Sequence, residues 1–547
     1  MSYYSAADLI SERASLENQR SPFLYLAQEV HDILGPANAY LGASAPVMGW
    51  NDTRDTTGRR MAQFYANGLA SLAFPKHDDF FSVDGPKSRP TDAEKSYFHE
   101  LSEEMQLMLE ESNFYDEIPQ SLYEGGVYGT GLMKIGEDQE DGAIYYNHQC
   151  FGTYFIQEDH RRRLSGVFRD VEQTVEQLLG FLGPSFNVEK LPRKLAEAYK
   201  DPKKRNSTFK FLHVVKRLPR HAVGPDQKPF EDVLVFTETK EVLREEKHSF
   251  MPFFLRRHAR FGNWTYGYGP GWMAMEDGHQ SSEASRLFEA FAARSTFPSV
   301  KASGSLEDSI RLGAGQVTWI YGTAQEDVAA WAPVGDYRSV MELMASKHQN
   351  LEQAFFSDLF RGVLDSNKVY SATQAQIMES NQNQQLYPSA LRLEYETGRP
   401  MLEAVYAIGQ AQGRFPEPPD SLRDFYTGNP TKPRFRLRSR ITTSVRQQRV
   451  LKLAQTLEMF GPVFAQDPDQ IMRLNWDEIM PDLFRDSGLA ERWIKDADTF
   501  KGQMEQVAAA KQSQLAAQQA QQVAGAVADL GRAGQEGVDV ADQLLQS

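Results

Sequence analysis

Residues 261–300 read FGNWTYGYGPGWMAMEDGHQSSEASRLFEAFAARSTFPSV. A glycine- and aromatic-rich turn, with Trp264, Tyr266, Gly267, Tyr268 and Gly269, leads into Pro270. A long helix-forming run then closes at Phe297-Pro298. Proline costs nothing at a first helical turn, where its missing N–H would have had no partner. The second proline stops the helix by biasing the preceding residue away from the α region. Some twenty-odd residues at ~1.5 Å each make a rod about 35–40 Å long. The aromatics of the entry turn could stack on bases, but in a turn that feeds a helix they are expected to pack down the joint.

Working outward from this rod, the chain of 547 residues exceeds one ordinary domain and calls for several modules or one elongated protomer. A hydrophobic content of 41% supplies a real core. The formal net charge of −15 argues against a surface built to grip nucleic acid, which needs clustered Lys and Arg, though not against one past which DNA slides. Acidity serves solubility as well. Cys150 is the only cysteine, which excludes an internal disulfide and paired-cysteine metal sites and fits a reducing compartment. The N-terminal residues lack a secretory pattern, and no run reaches the roughly 18 apolar residues of a spanning helix.

Upstream, Leu9–Leu16 and Phe23–Leu34 carry helical periodicity, the second ending at Gly35-Pro36. Residues 54–75 form an amphipathic helix through Met61, Phe64, Tyr65, Leu69 and Leu72. Residues 93–125 read as one further long helix, and 121–138 turn into a strand and hairpin. Residues 207–258 contain HVVKRLP, VLVFTE and FFLRRHAR, patterned as half-buried strands. Downstream, residues 298–335 are compact and glycine-rich, and Tyr337–Phe360 is helical. RGVLDSNKVY (361–370) breaks that helix. Ser371–Gln412 is a very long helix with kinks expected at Pro388 and at Gly398-Arg399-Pro400. FRLRSRITTS reads as a return strand and Val445–Phe460 as a helix. Beyond Phe500 the Ala/Gln-rich tail is either a peripheral helix or mobile. The fold class is α+β, mostly helical.

The glycine-rich and acidic segments of the chain do not match catalytic motifs. Gly267-x-Gly269-x-Gly271 has the wrong spacing for a dinucleotide fingerprint, and Gly126–Lys134 lacks the ending of a phosphate loop. No zincin, nucleophile-elbow or zinc-cluster pattern occurs. The acidic pairs read as solvated helix faces. No catalytic, metal-binding or cofactor-binding residue is therefore assigned, and no enzyme activity is expected. The one strong charge reversal is Lys432–Arg449, which carries no acid. Its Arg434, Arg436, Arg438 and Arg440 either meet DNA or an acidic partner, or pair with the chain's own carboxylates. Arg161-Arg162-Arg163 reads as a surface turn.

The order helix, compact β insert, helix, breaker loop, long kinked helix resembles that of phage portal proteins, especially the head-to-tail connectors of short-tailed phages. Local echoes are YGYGP (266–270), FPSV (297–300), IRLGAGQVTWI (310–320), FFSDLF (355–360) and the helix opening YSATQAQ (370–376). The similarity spans residues 10–460. It implies an N-terminal α+β wing body (1–260), stem helix 1 (261–297), a clip (298–336) and stem helix 2 (337–360). A tunnel loop (361–370), a long wing helix with return strand (371–445) and a helical crown with low-complexity tail (446–547) would follow. Leu287, Phe288 and Phe291 would pack between neighbouring stems, with Gln280, Ser281, Ser282, Glu283 and Arg286 on other faces. Arg361, Asp365, Asn367 and Lys368 would be the channel-loop positions, although Asp365 opposes the two cations there.

The resemblance further implies a ring of about twelve copies at a capsid vertex, passing double-stranded DNA. Its partners would be major capsid protein, scaffolding protein, the terminase large subunit and a tail adaptor, with room for internal core proteins and no membrane. It would be assembled in the host cytoplasm and reside in the virion. The rival readings are an oligomeric scaffold of virion assembly without a channel, and a nucleic-acid enzyme whose acids converge only in the fold.

Overall fold

The structure, a computed structural model, describes residues 3–36, 39–43, 53–76, 78–85, 91–138, 142–183, 186–201, 206–224, 227–296, 299–301, 329–331, 337–357, 385–423 and 432–439, with shorter stretches between and beyond them. It divides into two compact units. The first comprises Met1–Pro86, Phe98–Pro418 and Thr431–Arg449; the second comprises Lys87–Tyr97, Pro419–Pro430 and Val450–Ser547.

The first unit is built on two antiparallel sheets. Strands β2 (Thr130–Glu137), β3 (Ile144–Gln149) and β9 (Phe253–Arg257) form one, in the order β3-β2-β9. Strands β4 (Tyr154–Glu158), β5 (Leu164–Gln173), β6 (Phe209–Arg217), β7 (Phe230–Phe236) and β8 (Glu241–His248) form a five-stranded meander in sequence order. Helices cover both faces of the meander. Val175, Leu178, Leu182, Leu191, Leu195 and Ala198, from α5 (Val175–Leu182), α6 (Arg193–Lys200) and the link between them, pack on Phe209, Phe211, Leu234 and Phe236. Leu9 and Leu16 of α1 (Ala6–Leu34) pack on Phe168, Leu212, Val214, Val233 and Val235. The side chains of one strand alternate between these two cores, so β6 and β7 are buried on both faces, and every residue of β9 in the other sheet is buried as well. This corrects the half-buried reading of 207–258. Each fully buried Leu, Val or Phe contributes about 1.5–3 kcal/mol.

Three local readings change. Residues 6–34 are one helix that runs through Pro22. Its packing outweighs the lost backbone bond: buried Arg20 donates to the carbonyls of Gly152 (2.7 Å) and Tyr154 (2.8 Å), with its guanidinium 4.0 Å from the Phe155 ring centre. Residues 93–125 are two helices, α3 (Asp92–Glu111) and α4 (Phe114–Val127). Asn113 breaks them by acting as an extra strand residue, its side chain accepting from Tyr146 N (2.7 Å) and donating to Tyr146 O (2.8 Å). In the long helix, Pro388 lies within unbroken helix over 385–393. The irregularity is a π turn at Glu394–Gly398, directly before α9 (Arg399–Gln412) and downstream of α7 (Pro270–Thr296) and α8 (Tyr337–Ala354). The expected kink at 398–400 is thus placed at its edge. Thr397 Oγ1 donates to the Leu255 carbonyl (2.9 Å) there.

In the second unit, α3 opens on a capping box. Thr91 N donates to the Glu94 carboxylate (3.0 Å), and Glu94 N donates to Thr91 Oγ1 (3.4 Å). Ser421 Oγ donates to the same buried Glu94 (2.7 Å). Residues 452–460, 502–507 and 509–514 are helical, and the last two stretches are exposed throughout.

Two buried histidines make the first unit acid-sensitive. Burial lowers His213 to about 4, against the opposing pull of Asp232, whose Oδ1 lies 2.8 Å from its Nε2. Burial, with Arg256 and Arg392 adding to it, lowers His258 to about 3. Both are neutral in the fold and protonate more readily once unfolded, near pH 6.5. Their contribution is complete above that pH and is lost as pH falls through it toward the folded values. Urea titrations should show each histidine costing about 2 kcal/mol at pH 5 relative to pH 7.5. His258→Gln should flatten that slope, and an unchanged slope would refute the assignment.

Candidate functional site

The rod read from the sequence is α7. Its partner α8 runs antiparallel to it: Phe291 near the end of α7 meets Tyr337 at the start of α8, ring centres 6.1 Å apart. Asp277 near the start of α7 accepts from Lys347 Nζ (2.9 Å) and Asn350 Nδ2 (3.1 Å) near the end of α8. Burial would raise the Asp277 pKa, but these two bonds outweigh it and hold the carboxyl below its usual range. Just past α7, β10 (Ser299–Lys301) pairs antiparallel with β11 (Ala329–Trp331), which precedes α8. A helix pair thus carries a strand pair at its far end. Residues 302–328, between those strands, lie outside the described residues.

The root of α7 is gripped through small side chains. Gly271, Ala274, Gly278, Ser281 and Ala284 are its buried positions after Pro270. A Cβ on Gly278 would stand 2.8 Å from Ile33 Cγ2, and one on Gly271 would stand 2.4 Å from the Val127 carbonyl oxygen. Such a stripe lets neighbouring backbones approach more closely than Leu or Phe would permit. The entry turn is equally tight. Tyr266 is buried against Phe23 (5.2 Å) and Phe151 (5.8 Å), and Trp264 contacts Phe23 and Trp272. These aromatics do pack down the joint.

Asp55 ties three helices together at this root. One oxygen accepts from Thr57 N (2.9 Å) at the start of α2 (Thr57–Ala73); the other accepts from Ser281 Oγ of α7 and lies 2.8 Å from His348 Nε2 of α8. Burial raises the Asp55 pKa, but the bonds from Ser281 and Thr57 and the nearby His348 prevail and keep it low. Arg54 adds its N–H to Ser282 Oγ (2.9 Å) and its guanidinium to Glu289 (3.1 Å). Ser281 is therefore a buried anchor on another face of α7 from Leu287, and Ser282 is engaged as well. Asp55 was not singled out from sequence. The only signal for Asp55 is its place two residues before a helix start, where a carboxylate caps backbone N–H groups.

Toward the far end the pair is uncovered. Leu287 is 48% exposed, and Tyr337, Met341 and Leu343 are 44%, 50% and 45% exposed. Phe288 and Phe291 are half-buried. Of the three apolar residues expected to pack between chains, Leu287 is thus exposed, while Phe288 and Phe291 are partly covered, Phe291 by Tyr337 of α8. Arg361, Asp365, Asn367 and Lys368 lie outside the described residues, as does Arg440. Arg434, Arg436 and Arg438 sit on or next to β12 (Arg434–Leu437), which pairs with β1 (Phe81–Asp84). Phe435 and Leu437 point into the core, and Arg436 binds Asp84 at 3.0 Å. At Arg436 the self-pairing reading holds. Among the described residues no cluster of His, Cys, Asp and Glu could hold a metal, and no helix is long and apolar enough to cross a membrane.

Comparison with known proteins agrees with this architecture. Over 532 residues the chain is 22% identical to the portal protein of Salmonella phage epsilon15, covering 93% of this chain and 92% of that one. Over 440 residues it is 21% identical to a probable portal protein of Bordetella phage BPP-1, covering 76% of each. The family described as bacteriophage head to tail connecting protein matches residues 6–494. With nearly all of its described helices and strands inside that match, the chain belongs to the bacteriophage head-to-tail connecting protein family.

Proposed function

We propose that this chain is the portal protein of a phage particle: copies close into a ring of about twelve at one capsid vertex, and the genome enters and leaves through the ring's axis. The observation that supports ring closure is the uncovered apolar stretch of the helix pair, Leu287, Met341 and Leu343, on a rod otherwise anchored at its root. An apolar run left exposed on a long helix pair is a site for association, and repetition of one such contact around an axis makes a closed ring.

In this reading α7 and α8 are the stem, residues 298–336 the clip, residues 361–370 a loop facing the channel, and the two sheets with the long helix the wing. The residues beyond 446 form a crown and tail. The clip docks the terminase large subunit during packaging and a tail adaptor afterwards. The wing meets the major capsid protein, and scaffolding protein guides assembly in the host cytoplasm. The role is mechanical: the ring guides DNA, and the terminase supplies the work.

Negative-stain electron microscopy of the purified full-length chain tests this. Rings with a central hole are expected, and Leu287→Asp with Met341→Asp should shift the particles toward single subunits. Hole-free particles or filaments from the unmodified chain would overturn the channel reading in favour of a scaffold.

A further inference from the structure

A group of charges that the stem does not use lies where the two sheets meet. Lys134 of β2 comes into electrostatic reach of Arg169 of β5, His213 of β6, Asp232 of β7, and Arg244 and Glu246 of β8. Both carboxylates are already engaged. Asp232 Oδ1 lies 2.8 Å from His213 Nε2 and Oδ2 lies 3.4 Å from His248 Nε2, while Glu246 is paired with Arg244.

Lys134 and Arg169 are left over. Lys134 is 8% exposed, and its Nζ stands 4.8 Å from the Phe181 ring centre. Arg169 stands 5.9 Å from the Phe253 ring centre. Among the described residues neither makes a hydrogen bond or an ion pair. Arg244 Nε is buried without an acceptor as well. Beside neutral His213, the cations Lys134, Arg169 and Arg244 face the carboxylates of Asp232 and Glu246, and the side chains of Lys134 and Arg169 are left without an acceptor.

A buried donor without a partner is rare and costly, and Lys134, 8% exposed with no acceptor, is such a group, with partly buried Arg169 beside it. Burial, only partly offset by Asp232, lowers Lys134 to about 8 and Arg169 to about 10, so both side chains would gain from a further negative charge. The cluster lies near solvent: its neighbour Tyr145 is 38% exposed, and the His248 side chain is 27% exposed. The planar fork of Arg and the point charge of Lys together suit an oxyanion with several acceptor atoms.

The geometry points to a binding site for one phosphate-like oxyanion between the two sheets, held by Lys134 and Arg169. This site is independent of the portal reading. Equilibrium dialysis of the full-length chain against radiolabelled inorganic phosphate tests it. Saturable uptake of one phosphate per chain is expected, with a Kd of about 1 mM or tighter. Lys134→Met and Arg169→Gln should each weaken uptake about tenfold or more. Arg169 is only partly buried, so its variant reads the site even if the lysine variant fails to fold. No saturable uptake by the unmodified chain, or equal uptake by a folded variant, overturns the site. Sulfate should displace phosphate and acetate should not; displacement by acetate would refute a tetrahedral ligand. A short DNA duplex that also displaces phosphate would assign the site to a phosphodiester, and failure to do so would assign it to the free ion.

Discussion

Alanine in place of Gly269 is expected to unfold the chain or leave it insoluble, the largest effect we foresee for adding one methyl group. Its Cβ would lie 2.2 Å from the Gly126 carbonyl oxygen and 2.9 Å from that of Gly125. Both obstacles are backbone, so no side chain can turn aside. The contact is reciprocal: a Cβ on Gly129 would meet Gly267 O at 2.3 Å, and Gly129 also sits at φ +87°. The glycine-rich turn before α7 therefore presses its main chain against that of the last turn of α4 and the link into β2. Gly267 N donates to Thr130 Oγ1 (2.8 Å) across that seam. Overpacking with no room to relax costs about 3 kcal/mol or more, and the positive φ adds to it at Gly129. Gly180 is the control. It lies in α5 with nothing within 4 Å of its would-be Cβ, so Gly180→Ala should stabilise by about 0.5–1 kcal/mol. Chemical denaturation of the soluble variants reads both signs. A Gly269→Ala chain as stable as the parent would refute the seam.

That seam shows where the sequence was legible and where it was not. Local punctuation did its work: Pro270 marks the start of α7, and the segments HVVKRLP and VLVFTE mark β6 and β7, two strands of the meander. The glycines at 126–131 and 267–271 stood out as well, first as candidate phosphate or nucleotide loops and then as turns. Their physical purpose needs both segments at once, about 140 residues apart, and no local pattern carries that. Asp55 is hidden for the same reason, because its partners Ser281 and His348 come from two distant helices. Likewise, Asn113 breaks a convincing helical period only because Tyr146 offers it a strand's bonds. The strand β8 was missed because its residues EVLREEKH are mostly charged, as suits an edge that must resist pairing with another chain. The uncovered apolar end of α7 was read through family likeness, since periodicity does not distinguish a core-facing stripe from one awaiting a neighbour.

Removing the Arg257 side chain should cost about 3–5 kcal/mol, for a reason unlike that at Gly269. Arg257 is 1% exposed and holds Glu396 through Nε (3.0 and 3.1 Å) and Nη2 (2.7 Å). Its Nη1 serves Glu158 and the Thr265 carbonyl (2.8 Å). Glu396 belongs to the π turn, Glu158 to β4 and Thr265 to the turn before α7. One guanidinium therefore locks the long helix to the meander and to the root of the rod. In Arg257→Met the Glu396 carboxylate, 10% exposed, keeps among the described residues one ion pair, to Arg392 at 4.0 Å, with Arg256 and Arg260 in weaker electrostatic reach. Glu158 fares better, since Arg260 still reaches it at 3.1 Å. The penalty is thus concentrated on Glu396, and Glu396→Met in the same chain should recover much of it. Breaking a buried pair strands a charge, whereas replacing both partners with apolar groups need not. A double-mutant cycle by urea denaturation measures this coupling. If the two substitutions simply add, Arg257 acts through packing alone, and the electrostatic lock on the long helix is refuted.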